Sequence, residues 1–171
     1  MSLSFPTVPI LVHLLLGSNL GDRAGLLAAA RQELAATAGD IVAQSDLYET
    51  AAWGLESQPA FLNQALAIRT WLRPEALLDA CQAAEQHAGR QRLEHWGQRT
   101  LDVDVLFYGS HVIQSPRLAV PHPRLPERRF ALVPLAEIAR AVRHPQLGLT
   151  VRDLLLHCPD PLAVEPWKGP A

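Results

Sequence analysis

Two aspartates stand two positions apart in the run RTLDVDVLF, residues 99–107, within β-branched and aromatic side chains that read as a strand. Side chains two apart on a strand point the same way, so Asp102 and Asp104 share one face while Leu101, Val103, Val105 and Phe107 take the other. Carboxylates about 7 Å apart on a partly dehydrated face repel each other and lose hydration unless a cation compensates them. A hard divalent ion suits that role, because Mg²⁺ keeps several waters and is held by one or two carboxylates plus substrate phosphates. The competing reading is a solvent-facing strand edge with two ordinary aspartates, the commoner case for D-x-D taken alone.

The flanking loops shift that balance. Arg90, Arg92, Arg99, Arg117, Arg124, Arg128 and Arg129 all fall in them, seven of the fifteen Lys and Arg residues of the chain. Guanidinium forks match phosphate oxygens in pairs, so an acidic strand between basic loops reads as a metal–polyphosphate site. Surface pairing with Glu85, Glu94 and Glu127 is the alternative for any single arginine. A second constellation lies in residues 50–63, where Trp53, Phe61 and Asn63 fall close together. A flat heteroaromatic ligand needs ring faces to stack on and an amide to read its edge, and Phe130 offers a second face. The alternative places the two aromatic rings in the core. The turn GSNLGD, residues 17–22, is glycine-rich but lacks the spacing of a dinucleotide fingerprint and the Gly-Lys-Ser/Thr of a P-loop. A tight turn with an N-cap at Asn19 or Asp22 is the simpler expectation.

The elements that must position these residues follow from periodicity. Residues 10–16, ILVHLLL, form a continuous apolar run ending in a turn, which predicts a buried strand with His13 as a satisfied core residue. Residues 22–39 and 73–89 repeat apolar positions at helical spacing and stop at Gly39 and Gly89. Residues 41–50 and 61–72 alternate as half-buried strands, and 100–109 is the aspartate strand. The order strand, helix, strand, strand, helix, strand predicts an α+β chain with a ferredoxin-like βαββαβ core, an antiparallel sheet with helices on one face. A short return at 111–113 and short helices within 131–142 and 150–157 follow. The tail after Cys158 is expected to be weakly ordered.

Composition bounds the class. A chain of 171 residues with 49% hydrophobic content suits one domain over residues 1–171, its core within 10–157. The net charge of −2 argues against a nucleic-acid or membrane-surface partner. The N-terminal apolar stretch has no cationic start and is broken by Pro6 and Pro9, so a cytoplasmic protein is expected. Cys81 and Cys158 stand in unrelated contexts and read as structural thiols.

Four segments in this order, LLLGSNLGDR, YETAAWGLESQPAFLNQAL, GRQRLEHWGQRTLDVDVLFYG and VPHPRLPERRFALVPLAEIA, resemble the 6-hydroxymethyl-7,8-dihydropterin pyrophosphokinase family of folate biosynthesis over about residues 12–156. The stretch from His95 to Leu106 carries the most specific part. The resemblance implies transfer of pyrophosphate from ATP to the pterin hydroxymethyl group, with two Mg²⁺ ions held by Asp102 and Asp104. It implies catalytic roles for Arg90 and Arg92 on a mobile loop over 89–98 that also carries Trp96. Gln82, Glu85, Arg99, Arg117, His122 and Arg128 would face ATP. Thr50, Trp53 and Asn63 would hydrogen-bond the pterin between the rings of Phe61 and Phe130. The implied partners are these small molecules alone, with a monomer expected. The chain departs from the family pattern at Ala51 and Ala52, where proline is frequent, at His95, where a basic residue is frequent, and at Gln98. The first nine and last fifteen residues have no counterpart in it.

Overall fold

The computed structural model describes residues 6–51, 57–89 and 100–170. Strand β1 (Ile10–Ser18) runs through the middle of the sheet and leaves through a turn into helix α1 (Arg23–Thr37). Asp22 caps that helix, its Oδ1 accepting from the Gly25 N–H at 3.1 Å, while Asn19 turns elsewhere. Strands β2 (Asp40–Gln44) and β3 (Tyr48–Thr50) both pair with β4 (Phe61–Thr70), and helix α2 (Pro74–His87) opens with proline in its first turn. Strand β5 (Asp102–Tyr108) pairs with β1, which gives the order β5-β1-β4-β3 with every pairing antiparallel. This is the expected ferredoxin-like arrangement. Strands β6 (Ile113–Gln114) and β7 (Ala119–Val120) form a small hairpin, followed by helices α3 (Arg129–Ala139) and α4 (Val151–Leu156).

Four details differ from the expectations. Residues 41–50 are two strands because Ser45 interrupts the ladder: its Oγ, in place of a backbone carbonyl, accepts the Ala65 N–H at 3.0 Å. Helices cover both faces of the sheet. Val12, Leu14 and Leu16 pack with α1 and α2, whereas Leu15, Ala65 and Phe107 pack with α3 and α4. The alternation of β5 also breaks, since a register shift against β1 pairs Leu14 with Val105 and His13 with Phe107. This bulge sends both Leu106 and Phe107 to the α3 side and returns Tyr108 to the α1 side, so Phe107 does not share a face with Val103 and Val105. Finally, the tail is built into the sheet: β8 (Val164–Pro166) pairs antiparallel with β3, and the Trp167 N–H donates to the Leu47 carbonyl at 2.8 Å. Upstream of β8, the Arg129 N–H and guanidinium bind the Asp160 carboxylate and carbonyl, at 3.1 and 2.9 Å. The two cysteines are free and stand in separate cores on opposite faces, Cys81 with α1 and α2, Cys158 with α3 and α4.

Candidate active site

Residue 17 in the central strand has no side chain, and the sheet register gives that absence a use. Gly17 pairs with Asn63 on β4 and with Asp102 on β5, so the amide and the carboxylate stand on either side of a gap in the floor. A Cβ at Gly17 would sit 2.9 Å from the Asn63 Oδ1, too close for Asn63 to keep its place. One step along the same face, Leu15 pairs with Asp104. A cavity opens over this floor, walled by Thr50, Ala51, Gln58 and Phe61 on one side and by Asp102, Asp104, Arg128 and Phe130 on the other.

The cavity has two chemical halves. In the first, the Asn63 Nδ2 donates to the Thr50 Oγ1 at 3.2 Å, and both residues are buried. That bond fixes the amide orientation, and the rings of Phe61 and Phe130 line the same space from β4 and α3. The second half holds the two partly exposed aspartates. Arg128, at the N-terminus of α3, joins the halves: its Nη1 lies 3.8 Å from the Asp104 Oδ2, and its guanidinium carbon lies 5.6 Å from the centre of the Phe130 ring.

Other expected residues surround the cavity without lining it. The buried Glu85 on α2 accepts the Val103 N–H at 2.9 Å, which stitches the helix to the edge strand between the two aspartates. Its negative charge, together with that of Asp104, adds to burial in pushing the Cys81 thiol up to about 12, so that sulfur stays protonated. His122 is anchored by its Nδ1, which accepts the Arg124 N–H at 3.1 Å, leaving the ring proton on Nε2. Burial first, then the nearby Arg128 cation, lowers its pKa to about 4, so the imidazole is neutral near pH 7.

Among the described residues the arginines do not converge as a group. Of those in the described residues, Arg128 alone lines the cavity. Arg117 is drawn onto α2, where Nη2 lies 2.6 Å from the Asp79 Oδ1 and 3.4 Å from the Gln82 Oε1, and Nη1 lies 3.3 Å from the Glu75 Oε2. Arg129 serves the tail. Arg90, Arg92, Trp96 and Arg99, with His95 and Gln98, lie outside the described residues, as does Trp53. Conversely, Leu15, Gly17, Ala51 and Gln58 line the cavity without having been expected as site residues. For Gly17 and Leu15 the signal was register, which a single strand read in isolation does not carry.

The family model described as 7,8-dihydro-6-hydroxymethylpterin-pyrophosphokinase (HPPK) matches residues 13–140. The chain belongs to the HPPK family. A curated relative from Methylorubrum extorquens, named 2-amino-4-hydroxy-6-hydroxymethyldihydropteridine pyrophosphokinase, is 46% identical over 157 residues, covering 90% of this chain and 96% of its own length. A Bacillus subtilis protein of the same name is 44% identical over 136 residues, 77% of this chain and 80% of its own. The crystal structure of Plasmodium falciparum HPPK-DHPS with pterin and p-hydroxybenzoate has the same fold, with a TM-score of 0.70 at 17% identity. The alignment covers 91% of this chain and 44% of that longer one. The HPPK match contains every lining residue of the cavity, from Leu15 to Phe130. Among the described residues no helix is long and apolar enough to cross a membrane.

Proposed function

We propose that the chain transfers the pyrophosphoryl group of ATP to the hydroxymethyl oxygen of 6-hydroxymethyl-7,8-dihydropterin, releasing AMP and the pterin diphosphate in folate biosynthesis. One observation carries this reading: a single cavity in an HPPK-family chain joins an aromatic–amide half to a paired-carboxylate half bridged by Arg128. Phe61 and Phe130 stack the pterin ring, and Asn63, oriented by Thr50, reads its edge. The same packing holds the hydroxymethyl group toward the aspartates. The substrate oxygen attacks the β-phosphorus, the bond from that phosphorus to the bridging α–β oxygen breaks, and AMP leaves with that oxygen. The hydroxyl proton passes to solvent. Such a transfer needs position and electrostatic stabilisation, with no nucleophile from the protein.

The residues present fit Mg²⁺. Asp102 and Asp104 supply two hard oxygen donors facing one cavity, and no group of three or more His, Cys, Asp or Glu forms a closed cage among the described residues. Mg²⁺ is held in just such open sites, with water and phosphate oxygens completing its shell. When bound, the ions neutralise charge on the phosphate oxygens. Arg128 supports the phosphate side from the cavity wall, and the neutral His122 offers its Nε2–H as a donor near it. Gln82, Glu85 and Arg117 lie on the α2 side of the nucleotide, with Arg90, Arg92, Arg99 and Trp53 assigned by resemblance alone.

The test is incubation with ATP, Mg²⁺ and the hydroxymethyl dihydropterin, with chromatography of nucleotides and pterins. Equal amounts of AMP and pterin diphosphate are expected, and Asp104→Ala is expected to remove both while the protein stays folded. ADP, or phosphate without pterin product, overturns the reading.

A further inference from the structure

The strand that carries Thr50 is only three residues long, and Thr50↔Phe61 is the last pair of its ladder with β4. Short ladder ends open easily, yet this end supplies two walls of the pterin half of the cavity. Something must hold it. Thr50 points into the cavity, so Glu49, one residue earlier, points through the other face of the sheet, toward α1. There it meets Arg23, the first residue of α1, whose Nη2 lies 2.6 Å from the Glu49 Oε2. The other terminal nitrogen, Nη1, donates to the Ala60 carbonyl at 2.8 Å, next to Phe61. One guanidinium therefore spans the chain as it leaves the ladder and as it re-enters it. Asn19 adds a second tie, its Nδ2 donating to the Pro59 carbonyl at 3.2 Å. The Asp22 cap fixes where α1 begins, and with it the root of the Arg23 side chain.

We propose that Arg23 is a positioning residue for the pterin: from behind the sheet it clamps the open end of the β3–β4 ladder and so sets the separation of Thr50 and Phe61. It does not line the cavity and touches neither aspartate. The clamp needs a planar fork with two separate nitrogens, which lysine lacks. Because β5 carries Asp102 and Asp104 on the far side of β1, loosening the clamp disturbs pterin binding and leaves the phosphate half in place. The inference rests on the pyrophosphokinase reading of the cavity.

The experiment compares the wild type with Arg23→Met, Arg23→Lys and Glu49→Gln. It measures pterin Kd without ATP, KM for each substrate, and kcat. For Arg23→Met the pterin Kd and KM should rise about fivefold, the scale of a part-exposed charged hydrogen-bond pair, while ATP KM and kcat stay within about twofold. Arg23→Lys should recover less than half of that loss. Glu49→Gln removes the charge at nearly constant size and should raise pterin Kd about twofold to threefold, which carries the test if Arg23→Met fails to fold. An unchanged pterin Kd in folded variants, or an equal rise in both KM values, overturns the clamp. If the wild type makes AMP and pterin diphosphate and the variants equal it, the clamp alone falls; a wild type without turnover overturns both readings.

Discussion

At the scale of single residues, the cavity depends on what is missing at position 17 as much as on what surrounds it. Gly17 separates Asn63 from Asp102 in the register, and a methyl group there would press on the Asn63 amide. Gly17→Ala is therefore expected to raise the pterin KM about tenfold by turning Asn63 away from Thr50, with a much smaller effect on ATP KM. Steady-state kinetics with each substrate varied in turn checks this. An unchanged pterin KM would show that the Asn63 orientation is irrelevant to binding. The aspartates were legible from their spacing, but the pairing of Arg128 with Asp104 was not. Seven arginines looked alike in the sequence, and only packing distinguishes Arg128 at the cavity from Arg129 at the tail and Arg117 on α2.

The elements show how local rules were overridden by neighbours. Alternation placed Phe107 with Val103 and Val105, but the bulge in β5 moves it across the sheet, where it fills the layer under α3 and α4. The tail was expected to be weakly ordered, yet β3 offers a free edge that β8 occupies in register, Val164 opposite Thr50. Edge pairing between segments more than a hundred residues apart has no local signature. Because β8 backs the strand that bears Thr50, a chain ending at residue 163 should lose about 2 kcal/mol of unfolding free energy in urea denaturation and bind pterin more weakly. Wild-type stability and pterin affinity in that shortened chain would show that β3 stands without its neighbour.

The whole molecule is two cores on either side of one sheet, and the second of them contains an acid-sensitive point. His13 is buried with its Nδ1 lacking a partner among the described residues, and its ring meets Phe107 edge-on at 5.9 Å. It was expected to be a satisfied core residue; it is a core residue, but one nitrogen is unsatisfied. Burial lowers its pKa from 6.5 to about 4. Between those values the unfolded chain binds more protons than the folded one, so its contribution is complete above pH 6.5 and is lost as pH falls toward 4. At pH 5 this one group is expected to cost about 2 kcal/mol relative to neutral pH. The gap between unfolding free energies at pH 7 and pH 5 should therefore shrink by about 2 kcal/mol in His13→Leu, while His122, its pKa also lowered to about 4 by burial, keeps its own share; an equally steep acid loss in that variant would exclude His13 as a source.

The sequence by itself determined the order of strands and helices, the acidic face of residues 102–104, the aromatic and amide residues Phe61, Asn63 and Phe130, and the family. Each of these is written in period, spacing or motif, which a chain carries locally. The tertiary structure alone decided that Gly17 is the gap between Asn63 and Asp102, and that Arg128 lines the cavity. It also decided that Glu85 braces the aspartate strand, that the tail backs β3, and that Arg23 grips the open end of the β3–β4 ladder from behind. These are pairings between residues distant along the chain. Sheet register and helix docking fix such pairings through side-chain packing, and a single strand or helix read alone leaves its partners open.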